Sequence, residues 1–290
     1  MDVRFRKLAV FGVGLIGGSF AAALKQAGRV DRVVGVGRSR ANLDRALELG
    51  VIDEIGSSAQ AAAADADLIF LAVPVQQTPT VLEALAPHIE PQAVLTDGGS
   101  TKRDVIEAAR QRLGDRLARF VPAHPIAGAE LSGVEAATSE LFRKRSVVIT
   151  PLPETDAQAR GRIEAAWAAC GAHLVEMTPQ RHDEVLAAVS HLPHALAFAL
   201  VHMIARRSDA TELFSFAGAG FRDFTRIASS SPEMWRDILI ANRDVVLAEL
   251  DDYRGRLAEL AQHLQAGDAD ALEKLFAAAR TARNDWLQRK

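Results

Sequence analysis

The 290-residue chain contains one cysteine, Cys170, so it cannot form an internal disulfide. With no Cys/His cluster beside it, Cys170 reads as a small buried hydrophobe rather than a metal ligand or nucleophile, and no metal site is expected. An excess of either charge is also missing: 34 Lys+Arg stand against 37 Asp+Glu, a formal net charge of -3. That balance excludes the basic surplus that nucleic acid or an anionic membrane surface would call for. No apolar run reaches the roughly 20 residues that a membrane-spanning helix needs. Arg4, Arg6 and Lys7, ahead of the uncharged residues 8–24, imitate a signal peptide, but four glycines interrupt the apolar stretch. A cytoplasmic, reducing location is therefore expected. What is present is an ordinary globular balance, 49% hydrophobic and 24% charged, which excludes a disordered chain. The length suits about two domains.

The two halves differ in pattern. Up to about residue 177, short β-like runs at 8–11, 32–36, 68–72, 93–97, 119–122, 146–150 and 173–176 alternate with helix-length segments. Several runs are continuously apolar, as in a sheet buried on both faces. The alternation predicts an α/β, Rossmann-like, doubly wound parallel sheet over residues 1–177. From residue 178 to 290 the β signal is gone, and an all-α domain is expected. Its strongest element is a helix from Pro232 to about Gln265, with Ser231 as N-cap and Gly267 as the stop. Val246, Leu250, Tyr253, Leu257, Leu260 and Leu264 form a heptad seam along it. Such a helix would be about 50 Å long; it packs either against the other C-terminal helices or against a second subunit, and a homodimer built on this all-α half is the favoured expectation.

Gly12, Gly14 and Gly17 form a G-x-G-x-x-G that follows a strand and opens a helix, the context that dinucleotide binding requires. Gly12 permits the tight turn, Gly14 the approach of a pyrophosphate, and Gly17 close packing of helix on strand. Free N–H groups around Leu15 and Ile16 would meet the phosphates. Val73, directly after the run 68–72, is a further cofactor candidate. About 20 residues after Gly17, where NAD-binding chains carry an acid for the ribose, stand Arg38, Ser39 and Arg40. Two guanidiniums and a hydroxyl suit a 2′-phosphate, so NADP is expected in preference to NAD, with NAD possible.

A nicotinamide site needs a group that manages a proton. His124 follows the fifth strand, where open α/β sheets bind ligands, and its ordinary pKa suits accepting a proton from a hydroxyl. Ser100, in the segment 97–102, ends the neighbouring strand and is positioned to orient His124 or the substrate. Ser190 and His194 form a second cluster, and Arg222 and Arg226 with Trp235 a third, in which an arginine can grip a carboxylate. His88, His173, His182, His202 and His263 read as ordinary core or surface histidines.

The motifs GVGLIGGS (12–19), DGGSTK (97–102), HPIAGAELSG (124–133), SHLPHALAFAL (190–200) and GFRDFTRIASSSPEMWRDI (220–238) together resemble the prephenate/arogenate dehydrogenases of tyrosine biosynthesis. The resemblance spans nearly the whole chain. It implies a Rossmann domain followed by a helical dimerisation domain, and oxidative decarboxylation of a cyclohexadienyl ring. By it, His124 takes the hydroxyl proton with Ser100 in support, and Glu130 sits at the mouth of the site. Ser190, His194 and Arg226 hold substrate, and Trp235 walls the pocket. Two other readings share the glycine loop: a β-hydroxyacid-type dehydrogenase, which normally carries a lysine where SHLPH stands, and a non-enzymatic NADP-binding redox sensor.

Overall fold

A computed structural model describes residues 3–128, 131 and 133–289, and falls into two compact units, Met1–Arg243 and Asp244–Lys290. In the first unit, β1 (Phe5–Phe11), β2 (Val30–Val36), β3 (Glu54–Ile55), β4 (Leu68–Leu71), β5 (Val94–Asp97) and β6 (Phe120–Val121) form a parallel sheet in the order β3-β2-β1-β4-β5-β6. Helices α1 (Leu15–Gln26), α2 (Arg40–Glu48), α3 (Ala59–Ala63), α4 (Thr78–Leu85) and α5 (Arg103–Arg112) connect the strands.

Because side chains alternate along a strand, each central strand feeds two cores. Leu8, Val10, Leu68 and Phe70 pack with Phe20 and Leu24 of α1. Their neighbours Ala9, Phe11, Ile69 and Leu71 pack with Leu82 and Leu85 of α4 and with Val105 and Ala109 of α5. The expected doubly wound, Rossmann-like domain is therefore present. Reversal of strand order between β1 and β4 leaves a crevice at their carboxyl ends.

The runs after β6 do not join this sheet. β7 (Ala123–Pro125), β8 (Ser146–Ile149) and β9 (His173–Glu176) form a second sheet, with β7 antiparallel and β9 parallel to β8. Pro122 lies at the break; lacking an N–H it cannot continue the parallel ladder, and its carbonyl accepts from Thr150 N at 3.0 Å instead. His124 consequently lies within β7, opposite Val148, rather than at the carboxyl end of a strand. Between β8 and β9 runs α6 (Ala157–Ala169), whose buried Trp167 packs on Phe20, Phe70 and Phe142.

After β9 all elements are helical: α7 (Pro179–Leu186), a π-helical turn at Ala187–His191, α8 (Leu192–Ala205), α9 (Ala210–Ser215), α10 (Ala219–Thr225) and α11 (Pro232–Ala241). The 27-residue run Pro179–Ala205 is by length and composition apolar enough to cross a membrane, contrary to the sequence expectation, although His182, His191, His194 and His202 lie within it. The second unit is α12 (Arg243–Ala266) and α13 (Ala269–Gln288).

The single long helix expected from Pro232 is thus two helices. Ser231 caps the start as anticipated and Gly267, at φ +65, follows the end. The helix breaks at Asn242 (φ -110, ψ 27), whose buried amide binds two other segments instead of facing solvent. Along the predicted seam, Leu257 and Leu264 are exposed in the single chain.

Candidate functional site

The glycine loop follows β1, at the carboxyl end where the crevice opens. Gly12 has φ +96, and a Cβ there would lie 2.4 Å from Ala72 O; one on Gly17 would lie 2.0 Å from Gly12 O. Gly14 meets nothing within 4 Å, so its face is open. It is the N-cap of α1, with no side-chain cap and no acid in the first turn. An uncapped helix start behind an open glycine fits a pyrophosphate. Leu15 and Ile16 lie half-buried in this first turn, and Val73 adjoins Gly12 across the β1–β4 gap. Asn42, which the sequence did not single out, clamps the loop: its Nδ2 donates to Val13 O at 2.6 Å and its Oδ1 accepts from Val134 N.

Beyond β2, Arg38, Ser39 and Arg40 are all exposed. The Ser39 hydroxyl accepts from Asn42 N and so caps α2. Arg40 pairs with Asp44 at 2.8 Å, and Arg38 reaches Glu233 at 3.6 Å.

His124 is 9% exposed and its Nδ1 lies 2.8 Å from His182 Nε2. His182 Nδ1 in turn lies 2.7 Å from Asp183 Oδ1. Asp183 is built in firmly. It accepts Lys102 N at 2.8 Å, Arg103 N at 3.0 Å and Arg103 Nε at 3.1 Å, and so also caps the start of α5. Lys102, fully buried, donates through Nζ to Asp97 Oδ2 and to Ala123 O, while Asp97 Oδ1 accepts Ala123 N. The residue before His124 is thus fixed to the end of β5. Asn242 completes the cluster, accepting from Arg103 Nη2 and donating to Asp183 O, both at 2.8 Å.

The expected partner of His124 was Ser100, but Ser100 makes no hydrogen bond to a described residue, and His182 takes that place. Ser100 lies half-buried after Gly98, where a Cβ would stand 3.0 Å from Ile16 of the glycine loop. His182 is fully buried, as a core histidine would be, and both of its ring nitrogens have partners. Glu130 lies outside the described residues.

A second group comes from the helices. His194 stacks on Trp235 with centroids 3.5 Å apart, and its Nδ1 donates to Ser190 O at 2.8 Å, leaving Nε2 as an acceptor. The π-helical turn supplies Ser190 and the buried His191, whose Nδ1 is 3.2 Å from Asn242 Nδ2. Arg226, exposed in the turn after α10, is close enough that its charge lowers the pKa of His194.

The histidines are held neutral. Burial, then the neighbouring His182, Lys102 and His191, push His124 well below the ordinary imidazole value. Burial lowers His182 against the opposing hydrogen bond of Asp183, and lowers His191 to about 4. Burial raises Asp183, but the hydrogen bonds from His182 and from the Arg103 and Lys102 backbones outweigh it, so its pKa is lowered and it stays a carboxylate. Folded histidines with depressed pKa bind fewer protons than the unfolded chain once the pH drops below about 6.5. Their stability contribution is therefore complete above that pH and is lost as pH falls toward the folded values. The melting temperature should decline between about pH 6.5 and the His191 value of about 4; a flat profile over that window would contradict the neutral assignment.

Two family models match the chain: the nucleotide-binding domain of prephenate dehydrogenase at residues 20–176 and its dimerization domain at 178–278. The chain is 40% identical over 275 residues to a prephenate dehydrogenase of Bacillus subtilis, covering 94% of this chain and 74% of that one. Its structure is similar to that of an Aquifex aeolicus prephenate dehydrogenase in complex with hydroxyphenyl propionate and NAD+. The TM-score is 0.91, with 32% identity and 98% and 99% of the two chains covered. It is also similar to a Synechocystis arogenate dehydrogenase, with TM-score 0.80, 30% identity, and 97% and 99% covered.

Proposed function

The chain belongs to the prephenate dehydrogenase family, and from that membership and the site geometry we propose that it oxidises and decarboxylates prephenate, arogenate or both. The observation that carries the reading is His124, anchored through Nδ1, with no described residue on its Nε2, next to Ala123, which is tied to the carboxyl end of β5. When bound, a nicotinamide supplies the hydride acceptor.

His124 Nε2 accepts the hydrogen bond, then the proton, of the ring hydroxyl as the C–O bond gains carbonyl character. As the ring carboxylate departs as carbon dioxide, its bonding pair aromatises the ring, and His124 returns the proton to the phenol oxygen. No net proton is released, so His124 needs to be neutral at the start, as its burial arranges. Ser100 lies beside the glycine loop, where its hydroxyl can contact the same substrate oxygen. From the helices, His194 offers Nε2, Trp235 a flat wall, and Arg226 a guanidinium for a carboxylate. Ser190 fixes His194, and Glu130 is assigned to the mouth of the site by the family resemblance alone. We place the junction of the nucleotide-binding and helical parts at 177/178, after the last strand. Incubation with prephenate or arogenate should yield carbon dioxide and reduced nicotinamide in equal amounts; reduction without carbon dioxide would point to a simple hydroxyacid dehydrogenase.

NADP is the preferred cofactor on this reading, because Arg38 and Arg40 stand where an acid would otherwise bind a ribose hydroxyl. Both salt bridges they make are solvent-exposed and of the weak kind that a phosphate can displace. Arg38→Asp should raise the KM for NADP by about tenfold or more while leaving that for NAD near its starting value. An unchanged KM for NADP would make these arginines surface charges.

The assembly is a homodimer through the helical part. Val189, Met203 and Phe216 are exposed at 69%, 59% and 82% in the single chain, large apolar side chains that a second subunit would cover. A covering partner accounts for the apolar run Pro179–Ala205 without a bilayer, since the four histidines in it, His182, His191, His194 and His202, would be costly in lipid. We assign the enzyme to the cytoplasm.

A further inference from the structure

The chain His124–His182–Asp183 fixes where each proton must sit. Asp183 receives three N–H groups from Lys102 and Arg103 besides its contact with His182, so it is an acceptor only. His182 must therefore carry its proton on Nδ1 and donate to Asp183. A neutral imidazole has one such proton, so His182 Nε2 is an acceptor. Across the 2.8 Å contact, His124 must then donate from Nδ1, which leaves the lone pair of His124 on Nε2. Two hydrogen bonds, set by one buried carboxylate, thus turn the basic nitrogen of His124 outward.

The same chain can move charge. We propose that His182, held by Asp183, is the resting place of the positive charge created when His124 accepts the substrate proton, making the two imidazoles a relay rather than a single base. The substrate O–H bond breaks as N–H forms at His124 Nε2. The Nδ1–H bond of His124 breaks as N–H forms at His182 Nε2. No electrons change hands, and every step reverses when the proton returns to the phenol oxygen. The surroundings favour this distribution. His124 faces His182 from α7, Lys102 from the segment before α5 and His191 from the π-helical turn, with no carboxylate of the described residues in direct contact. His182 is bonded directly to the Asp183 carboxylate. The same neighbours lower His124 well below its ordinary value, while Asp183 opposes the lowering of His182. Asp183 also accepts from the partly exposed Arg103, so the pair is electrostatically continuous with the surface.

The inference rests on His124 being the proton acceptor of the proposed reaction, and two measurements separate it from that reading. Nitrogen-15 chemical shifts of the histidines at neutral pH should show both His124 and His182 as Nδ1–H tautomers; an Nε2–H tautomer at His124 overturns the relay whatever the substrate. In kinetics, His182→Gln keeps an amide oxygen that can accept from His124 Nδ1–H but cannot hold a proton. It should lower kcat by about 10²-fold with KM little changed. Its acid limb should also follow one titrating group where the parent follows a coupled pair. Full kcat in a folded His182→Gln enzyme would reduce His182 to a positioning residue and overturn the relay. If His182→Gln does not fold, the tautomers decide. If the parent enzyme turns over neither prephenate nor arogenate, the functional reading falls, and the relay is again judged on the tautomers.

Discussion

His124→Asn should lower turnover by about 10²–10⁴-fold with KM almost unchanged, the range for losing a positioned acid–base group. The side chain to use is asparagine because its amide N–H can replace Nδ1–H as the donor to His182 Nε2. The buried contact on which His182 and Asp183 depend is then kept, and what disappears is the outward nitrogen. A collapse in stability is not expected, so melting temperature and cofactor binding serve as internal controls. If kcat stays within about twofold of the parent enzyme, His124 has no part in the chemistry.

Arg226→Ala should weaken substrate binding by about 2–3 kcal/mol, or roughly 30–150-fold in KM, as expected for loss of a charge-assisted pair to a carboxylate. Arg226 is exposed in a short turn, so truncation leaves no buried hole. A second readout comes with it. The positive charge of Arg226 contributes to lowering the pKa of His194, so the variant should shift that histidine upward. In the variant, KM should therefore depend on pH at higher values than in the parent. An unchanged KM would make Arg226 a structural residue.

What the sequence revealed and what it hid have physical causes. The glycine loop was legible because each glycine answers a steric demand of close backbone approach, and the contacts at Gly12 and Gly17 are those demands. The seven anticipated strands all formed, since their apolar runs report burial directly. β3 was missed because two residues carry no period, and the second sheet because periodicity does not say which strands pair. The helix break at Asn242 was missed because the local pattern stays helical through it, and the competing bonds to Arg103 and Asp183 lie 139 and 59 residues away.

The site shows the same division. His124 stood in a polar cluster beside a predicted strand end, so chemistry and position pointed to it together. His182 sits in a helix 58 residues on, with nothing local to set it apart from a core histidine. Its neighbour Asp183 was the only available signal, because an adjacent His–Asp pair on an otherwise amphipathic helix is a poor choice for a core unless both find partners. Lys102 was quoted as part of a motif, yet its role as a fully buried tether between β5 and β7 depends on a fold that brings Ala123 over Asp97.

The central claim is oxidative decarboxylation of a cyclohexadienyl substrate, and initial rates test it most directly. Prephenate and arogenate would each be offered with NADP and with NAD, following the absorbance of the reduced nicotinamide. The account predicts turnover with at least one of the two substrates and faster rates with NADP than with NAD. Silence in all four combinations, from folded protein that binds cofactor, would contradict it.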